Sequence, residues 1–158
     1  MSQFERMAEE AIKYAEENKK LVTIGIDFDG TVVHWDYPYV GKTNGRCVEI
    51  LKRWCNEYNV GLILDTMRHG KELEDAINWF TDNDIPLFGV GKHPTQETWT
   101  TSNKCHCSIH IDDRNLGCPL KNDETIPYVD WDKVEELMEP TLIGLKQLFD
   151  DKGIKDFI

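Results

Sequence analysis

The segment Asp27-Phe28-Asp29-Gly30-Thr31 places two carboxylates two residues apart, where an apolar run ends in a turn. A carboxylate can attack phosphorus to form an acyl-phosphate, and a second carboxylic acid can protonate the leaving oxygen and then deprotonate water. Gly30 permits a tight turn and close approach of the backbone. Two acids repel a phosphate dianion, so this chemistry requires a cation, and hard oxygen ligands select Mg²⁺. The alternative is a strand end that leaves an exposed acid in a turn.

Other residues further along the chain suit the same chemistry, because phosphoryl transfer depends on charge neutralisation and positioning. Thr66 and Lys104 could stabilise a phosphoryl group, and the adjacent acids Asp112 and Asp113 could share a cation. Each also has a structural interpretation, as a strand end, a solvated lysine and an exposed acidic turn. Adjacent acids repel unless something cationic lies between them, which favours the functional interpretation of the acidic pair.

Two arginines lie close to these residues in the sequence. Arg68 could contact phosphate through two hydrogen bonds, or it could pair with an acid such as Asp113. Arg114 is expected to make a structural ion pair.

Apolar runs typical of buried strands end just before the polar residues. Strands are predicted at 21–30, 60–66, 85–90 and 107–112, with helices between them, the first of these from about Asn44, a plausible N-cap. Alternating strands and helices predict an α/β three-layer sandwich with a central parallel sheet, in which the first strand is central. Ligands bind such sheets beyond the carboxyl ends of the strands.

The two ends of the chain are predicted to be helical. Ser2 and Glu5 have capping-box spacing, and residues 126–129 could form a short strand before a final helix capped by Asp130, which Pro140 would interrupt or restart. An apolar stripe at helical spacing follows Ser2 and comprises Phe4, Met7, Ala8, Ala11, Ile12 and Ala15.

Four segments occur in the order of the four motifs of haloacid-dehalogenase phosphohydrolases: DFDGT (27–31), LILDTMR (62–68), a lysine at 104 and IDDRN (111–115). The chain resembles the small capless members of that superfamily, with YPYVGK (37–42) and IDDRNLG (111–117) in the corresponding places. The resemblance covers about residues 21–118. Because the chain shows no internal repeat or linker, we expect one hydrolase domain over residues 1–158.

The resemblance implies a catalytic role for four residues. Asp27 would be the nucleophile and a metal ligand, and Asp29 the general acid and base. Thr66 would donate a hydrogen bond to the phosphoryl oxygens. Lys104 would neutralise charge on Asp27 and on the transferring phosphoryl group.

The resemblance also implies a magnesium site. Asp29 would bind Mg²⁺ through its backbone carbonyl, Asp112 would complete the shell, and Asp113 would be a further ligand. Gly30 and Arg68 are predicted as substrate contacts. These roles amount to four acidic side chains around one divalent cation, with an ammonium group close by.

Spacing between the motifs leaves no room for a cap domain, so an open site is predicted, covered at most by short loops or by a second copy in a homo-oligomer. Two positions depart from the family pattern: Asp65, and His34 with Trp35, which stand where similar proteins often carry Glu-His. Asp65 stands where the relatives have a bulky apolar residue, and it could bind a second cation or face the sheet surface. The loop 34–40 carries Trp35, Tyr37 and Tyr39, for which packing onto the domain is favoured over stacking on a substrate.

Charge and composition exclude several classes of partner. A net charge of −11 argues against nucleic acid and against anionic membranes as partners. No apolar run approaches the roughly 20 residues needed to span a bilayer, and the N-terminus lacks a signal-peptide core, so a cytoplasmic setting is expected. Five cysteines without a CxxC pair favour buried or free thiols over zinc ligands or a disulfide framework.

The predicted activity is Mg²⁺-dependent hydrolysis of a small phosphate monoester through an aspartyl-phosphate. One alternative is a phosphatase for nucleotide or polynucleotide ends, since a DDR sequence also occurs in polynucleotide phosphatases of that superfamily. Another is a binding module that kept the fold without the catalysis.

Overall fold

Four parallel strands form the central sheet of the computed structural model, which describes residues 19–153 together with residues 2, 3, 5, 6, 9, 10 and 13. The strands are β1 (Thr23–Ile26), β2 (Gly61–Leu64), β3 (Gly89–Val90) and β4 (Ile109–Ile111). Their order is β3-β2-β1-β4, so β1 is an inner strand between β2 and β4. Helices flank this sheet, which confirms the predicted α/β class with a Rossmann-like three-layer arrangement.

Three main helices follow the strands: α1 (Cys47–Tyr58), α2 (Gly70–Asp82) and α3 (Trp131–Asp151). A 3₁₀ turn spans Gln96–Thr98, between β3 and β4. Only loops and α1 separate β1 from β2, and the chain between β2 and β4 forms α2, β3 and the 3₁₀ turn. No cap domain is therefore inserted at either place, as the motif spacing predicts.

The predicted N-cap of α1 is wrong, because Asn44 lies before the helix. Its side-chain amide donates to the carbonyl of Thr31 at 2.9 Å instead of bonding to the first turn. The helix begins at Cys47, whose N–H bonds to the carbonyl of Asn44 at 3.2 Å. At the other end Asn59 has the left-handed conformation (φ 47) that favours a helix stop.

The predicted interruption of the last helix at Pro140 is also wrong. Asp130 caps the helix by accepting a hydrogen bond from the Lys133 N–H, and α3 then continues through Pro140 to Asp151. Proline removes one helical hydrogen bond, but residues on both sides of it bury apolar side chains in the same core, which offsets that loss. Those residues include Val134 and Phe149.

The hydrophobic core lies between the sheet and its helices. Ile24 and Ile26 of β1 and Leu62 and Leu64 of β2 are fully buried, as expected for strands covered by helices. Trp54 of α1 packs near a tryptophan of α3, with ring centroids 6.1 Å apart. Burying a large apolar side chain contributes roughly 1.5–3 kcal/mol, so this core supplies the rigidity that holds the strand ends in place.

A small antiparallel pair lies beside the main sheet. The predicted strand near 126–129 is present as β6 (Tyr128–Val129), and it pairs with β5 (Leu120–Lys121), which was not predicted. Strand β4 is shorter than predicted and leaves Cys107 outside it. Two-residue strands carry too little periodicity to stand out in a sequence.

The described residues of the N-terminal segment bear out the predicted capping box. The hydroxyl of Ser2 accepts from the Glu5 N–H at 3.1 Å, and the carboxylate of Glu5 accepts from the Ser2 N–H at 2.6 Å. The predicted apolar stripe from Phe4 to Ala15 lies outside the described residues. None of the described helices is both long enough and apolar enough to cross a membrane.

Candidate active site

The carboxyl ends of β1 and β4 bring three aspartates together. Ile26 and Ile111 are register partners at the ends of these two strands, and the Asp27 N–H donates to the Ile111 carbonyl at 3.0 Å. Asp27 follows β1 directly, and Asp112 and Asp113 follow β4. One carboxylate oxygen from each of the three aspartates lies within 4.8 Å of the others. The predicted meeting of the first and last motifs is therefore present.

Thr31 connects the two halves of this cluster. Its hydroxyl donates to Asp27 Oδ2 at 2.7 Å and accepts from the backbone N–H of Asp113 at 3.1 Å. The residue is fully buried, and the indole N–H of Trp131 donates to its carbonyl at 2.8 Å. Sequence analysis assigned Thr31 no role. Its position directly after the glycine turn was the signal, but a buried hydroxyl has a partner only in three dimensions.

Gly30 lies where the turn passes beneath the carboxyl group of Asp113. Its φ of +81° is one that residues with a Cβ rarely adopt. A Cβ at this position would also come within 2.9 Å of the Asp113 carboxyl carbon. Gly30 thus permits close approach of the neighbouring acid, whereas the predicted substrate contact is not found, because the Gly30 N–H donates to the carbonyl of Val33 at 2.8 Å.

Electrostatics in the cluster favour a bound cation. Burial, together with the neighbouring charges of Asp112 and Asp113, raises the pKa of Asp27 to about 8 against the hydrogen bond from Thr31. Burial also raises the pKa of Asp113. Carboxylates this close cannot all ionise without a counter-charge. Three carboxylates form a hard oxygen donor set that fits a divalent cation of the Mg²⁺ or Ca²⁺ type.

Asp29 does not join the cluster, so the sequence-based expectation of four acidic side chains around one cation is wrong. Its carboxylate forms two hydrogen bonds with Arg68, from Nε to Oδ2 and from Nη2 to Oδ1, both at 2.7 Å. Its side chain is 13% exposed and that of Arg68 only 1%. A guanidinium and a carboxylate match in geometry. The ion pair with Arg68 therefore holds the Asp29 side chain away from the other acids.

Arg68 uses all five of its N–H groups within the protein. Besides the two bonds to Asp29, it donates to the carbonyls of Pro38, Tyr39 and Glu72 at 3.3, 2.7 and 3.2 Å. The hydrogen bond with Asp29 raises the pKa of Arg68. No donor remains for the predicted substrate contact in this conformation. The acid that it pairs with is Asp29 rather than Asp113.

A cleft of about 320 Å³ opens at this edge of the sheet. The predicted site residues that line it are Asp27, Asp29, Thr66, Arg68, Asp112 and Asp113. Thr66 is half-buried, and its hydroxyl accepts from the Arg68 N–H at 3.1 Å. That bond leaves the proton of the Thr66 hydroxyl available for another acceptor, because a hydroxyl donates and accepts at once.

Lys104 does not line the cleft, and the expectation of an ammonium group beside Asp27 is not met. The lysine is exposed, and its carbonyl accepts from the side-chain amide of Gln96 at 2.6 Å. Four residues later Ser108 bonds to the carbonyl of Thr23, at the amino end of β1 and thus opposite Asp27. The segment that carries Lys104 therefore leads into the sheet at its amino edge, opposite the acids.

Four residues that sequence analysis did not place in the site also line the cleft: Trp35, Tyr37, Met67 and Arg114. The two aromatic side chains are 45% and 44% exposed, so packing onto the domain accounts for only part of their surface. Arg114 is exposed and, within residues 19–153, makes no ion pair inside 4.0 Å, contrary to the structural pair expected for it. It is a cation on the wall of an acidic cleft.

Fold and site together define an α/β protein with a Rossmann-like parallel sheet and an acidic cluster at the carboxyl edge of that sheet. The chain is 32% identical to a solved structure described as the conserved protein coded by a locus from Bacteroides thetaiotaomicron, with a TM-score of 0.64. The match covers 76% of this chain and 91% of that one, and the chain therefore belongs to the same family as this Bacteroides protein. No protein-family model matches the chain, and no curated protein matches it significantly.

Proposed function

We propose that this protein is a Mg²⁺-dependent phosphatase that hydrolyses phosphate monoesters through an aspartyl-phosphate on Asp27. The observation that supports the proposal most is the meeting of Asp27, Asp112 and Asp113 within 4.8 Å at the carboxyl edge of the sheet. These residues come from the first and last of the four segments that resemble haloacid-dehalogenase motifs. Their approach supports reading those segments as one site rather than as separate turns.

Asp27, Asp112 and Asp113 would hold the metal, with the backbone carbonyl of Asp29 as the further ligand that the resemblance implies. Bound Mg²⁺ would neutralise charge on the phosphoryl oxygens and on the carboxylates around it. Without that neutralisation a phosphate dianion could not approach three acids.

Thr31 positions the nucleophile. By donating to Oδ2 of Asp27 at 2.7 Å, its hydroxyl holds one carboxylate oxygen in place and leaves the other to attack phosphorus. Restricting the carboxylate to one orientation before substrate binds lowers the entropic part of the barrier. Thr66, at the cleft wall, would donate its hydroxyl proton to a phosphoryl oxygen.

Asp29 would protonate the leaving oxygen, and for that its carboxyl group must reach the scissile bond. In this structure both of its oxygens are bound by Arg68. The proposal therefore includes a rotation of the Asp29 side chain away from Arg68 once substrate occupies the cleft. Arg68 acts in this scheme as a positioning residue.

Arg114 takes the role that the family resemblance gave to Lys104. It lines the cleft beside Asp112 and Asp113, and its guanidinium can form two hydrogen bonds with a phosphate. An exposed arginine at the mouth of an otherwise acidic cleft would also draw in an anionic substrate. This cleft residue gives the proposal a cation that Lys104 does not provide.

An aryl phosphate assay with and without Mg²⁺ tests the proposal. We expect hydrolysis that needs Mg²⁺ and that Asp27→Asn lowers on the order of 10³-fold or more. Asp82→Asn is the matched control, since Asp82 is exposed at the end of α2, away from the cleft. Equal activity in wild type and Asp27→Asn would contradict the proposed enzymatic function. Absence of turnover with intact metal binding would favour a non-catalytic binding module.

A nucleotide phosphatase is the second candidate, and the aromatic wall of the cleft favours it. Trp35 and Tyr37 are half exposed there, and stacking a base on an aromatic ring contributes roughly 1–3 kcal/mol. We expect Trp35→Ala to lower kcat/KM for a nucleoside monophosphate about 10-fold and to leave a sugar phosphate unchanged. Equal effects on both substrates would reject base recognition. A 3′-phosphorylated oligonucleotide should be the poorest substrate, because the chain carries a charge of −11.

The proposal retains the cytoplasmic setting and the small phosphorylated partner predicted from the sequence. A second copy of the chain covering the open cleft remains part of that prediction, and the oligomeric state in solution would test it.

A further inference from the structure

A second cluster of reactive groups lies beside β1, on β4 and in the segment that precedes it, apart from the acidic cleft. Cys107 Sγ lies 3.2 Å from Nε2 of His110. Nδ1 of the same imidazole lies 3.5 Å from Oδ2 of Asp65, the residue that departs from the family pattern. The imidazole thus contacts a thiol on one side and a carboxylate on the other.

Cys105 completes this cluster, because its interaction with the Cys107 thiol raises its own pKa. The two cysteines are separated by one residue, a spacing that places side chains on the same side of an extended chain. Cys105 is buried, whereas Cys107 is half-buried and reaches solvent. In such a pair an oxidant can reach the accessible sulfur, and the oxidised sulfur can then react with the buried one.

Gly25 of β1 leaves the space that the cluster occupies. A Cβ at Gly25 would lie 2.9 Å from both Cys107 Sγ and His110 Nδ1. Glycine inside a strand costs roughly 0.5–1 kcal/mol relative to alanine, and its φ here is not of the kind that requires glycine. Gly25 therefore leaves space for the Cys107 thiol and the His110 imidazole, which pack closely against the backbone of β1.

The other three cysteines differ from Cys107 in their surroundings. Burial raises the pKa of Cys47 to about 12 and that of Cys55 to about 11, and it raises the pKa of Cys118 as well. For Cys107 the hydrogen bond from Cys105 lowers the pKa and outweighs burial. Since the thiolate is the reactive form of cysteine, Cys107 has the environment of a reactive thiol.

We propose that Cys107 and Cys105 form a redox-active pair, in which a hydroperoxide oxidises Cys107 and Cys105 then closes a disulfide. In the first step the Cys107 sulfur, its proton lost to solvent, attacks one peroxide oxygen. The O–O bond breaks, Cys107 becomes a sulfenic acid, and the departing hydroxide leaves as water after taking up a proton.

In the second step the sulfur of Cys105 attacks the sulfenic sulfur of Cys107. The S–S bond forms, the S–O bond breaks, and the oxygen leaves as water with the proton of Cys105. In sum, two thiols and one hydrogen peroxide become one disulfide and two waters. This chemistry does not depend on the proposed phosphatase activity, and either can fail without the other.

Peptide mapping of the wild-type protein tests the proposal without any substitution. The protein is treated with a stoichiometric amount of hydrogen peroxide, denatured, alkylated and digested for mass spectrometry. We expect the peptide with Cys105 and Cys107 to lose two hydrogens and to resist alkylation, while Cys47, Cys55 and Cys118 are alkylated. Oxidation of Cys118 as fast as that of Cys107, or a sulfinic acid on Cys107 beside a free Cys105, would overturn the proposal.

A pair of serine variants tests the order of the two steps. In Cys105→Ser we expect a sulfenic acid on Cys107 that dimedone traps, because no second thiol remains to close the bond. Cys118→Ser is the matched control and should form the disulfide at the wild-type rate. Failure of dimedone to label Cys107 in folded Cys105→Ser, or loss of the disulfide in Cys118→Ser, would contradict the assignment.

Discussion

Both carboxylate oxygens of Asp29 accept hydrogen bonds from Arg68, at 2.7 Å each, and the arginine side chain is 1% exposed. Removing one partner of a buried ion pair leaves an uncompensated charge, which costs about 3–5 kcal/mol. We therefore expect Arg68→Met to lower the free energy of unfolding by about that amount in urea denaturation. The double variant with Asp29→Asn should recover part of the loss.

Arg46→Met is the control for that measurement. Arg46 pairs with Glu49 and Asp132, but its side chain is 45% exposed. Water screens exposed pairs, so the change in stability should be small. A loss in Arg68→Met no larger than that in Arg46→Met would show that the pair with Asp29 contributes little.

Thr31→Val should weaken both the fold and the metal site. The change removes the hydroxyl that joins Asp27 to the backbone of Asp113 and leaves the volume nearly the same. A buried group that loses its partner costs about 1–3 kcal/mol. Calorimetric titration should show weaker Mg²⁺ binding in Thr31→Val and near-normal binding in Thr31→Ser, which keeps the hydroxyl. Equal Mg²⁺ affinity in Thr31→Val and Thr31→Ser would contradict a role for the Thr31 hydroxyl in the metal site.

Gly30→Ala should disrupt the acidic cluster. The new Cβ would meet both a φ of +81° and the carboxyl group of Asp113. Gly45→Ala separates the two effects, because Gly45 also has a positive φ (48°) but has no atom within 4 Å of an added Cβ. We expect Gly30→Ala to lose about 1–3 kcal/mol of stability together with Mg²⁺ binding, and Gly45→Ala to lose stability only. Normal Mg²⁺ binding by Gly30→Ala would contradict the close packing on Asp113.

The metal-free protein should lose stability as the pH rises. Burial and the neighbouring acids raise the pKa of Asp27 in the folded state from 3.8 to about 8. Between these values the unfolded chain has released this proton while the folded protein still binds it, so rising pH favours unfolding. The slope is on the order of 1 kcal/mol per pH unit at most.

Urea denaturation at pH 5 and pH 8, with chelator present, measures this effect. Asp27→Asn should flatten the decline, and added Mg²⁺ should reverse it at the higher pH, since the cation takes the place of the proton. A wild-type stability that rises across this interval without metal, and rises equally in Asp27→Asn, would contradict the raised pKa.

The sequence was sufficient for the sheet and for the edge at which the acids meet. Strand runs that alternate with helices predict the parallel sheet, and acids directly after two of those runs predict that Asp27 lies near Asp112. That inference needs only the rule that the carboxyl ends of parallel strands share an edge.

Side-chain pairing and the paths of loops could not be predicted in the same way. Asp29 could face the metal or an arginine 39 positions away, and only packing decides between two such rotamers. The position of Lys104 depends on where the long loop after β3 returns to the sheet. Pro140 shows that a core on both sides of a residue can outweigh its local preference.

The most direct test of the phosphatase proposal is the identity of the phosphorylated side chain. Acid quench during turnover with Mg²⁺, followed by borohydride reduction, converts an aspartyl-phosphate to homoserine, which peptide mass spectrometry can locate. The proposal predicts homoserine at position 27, dependent on both Mg²⁺ and substrate, and none in Asp27→Asn. Homoserine at another position, or Mg²⁺-dependent turnover that Asp27→Asn retains, would contradict it.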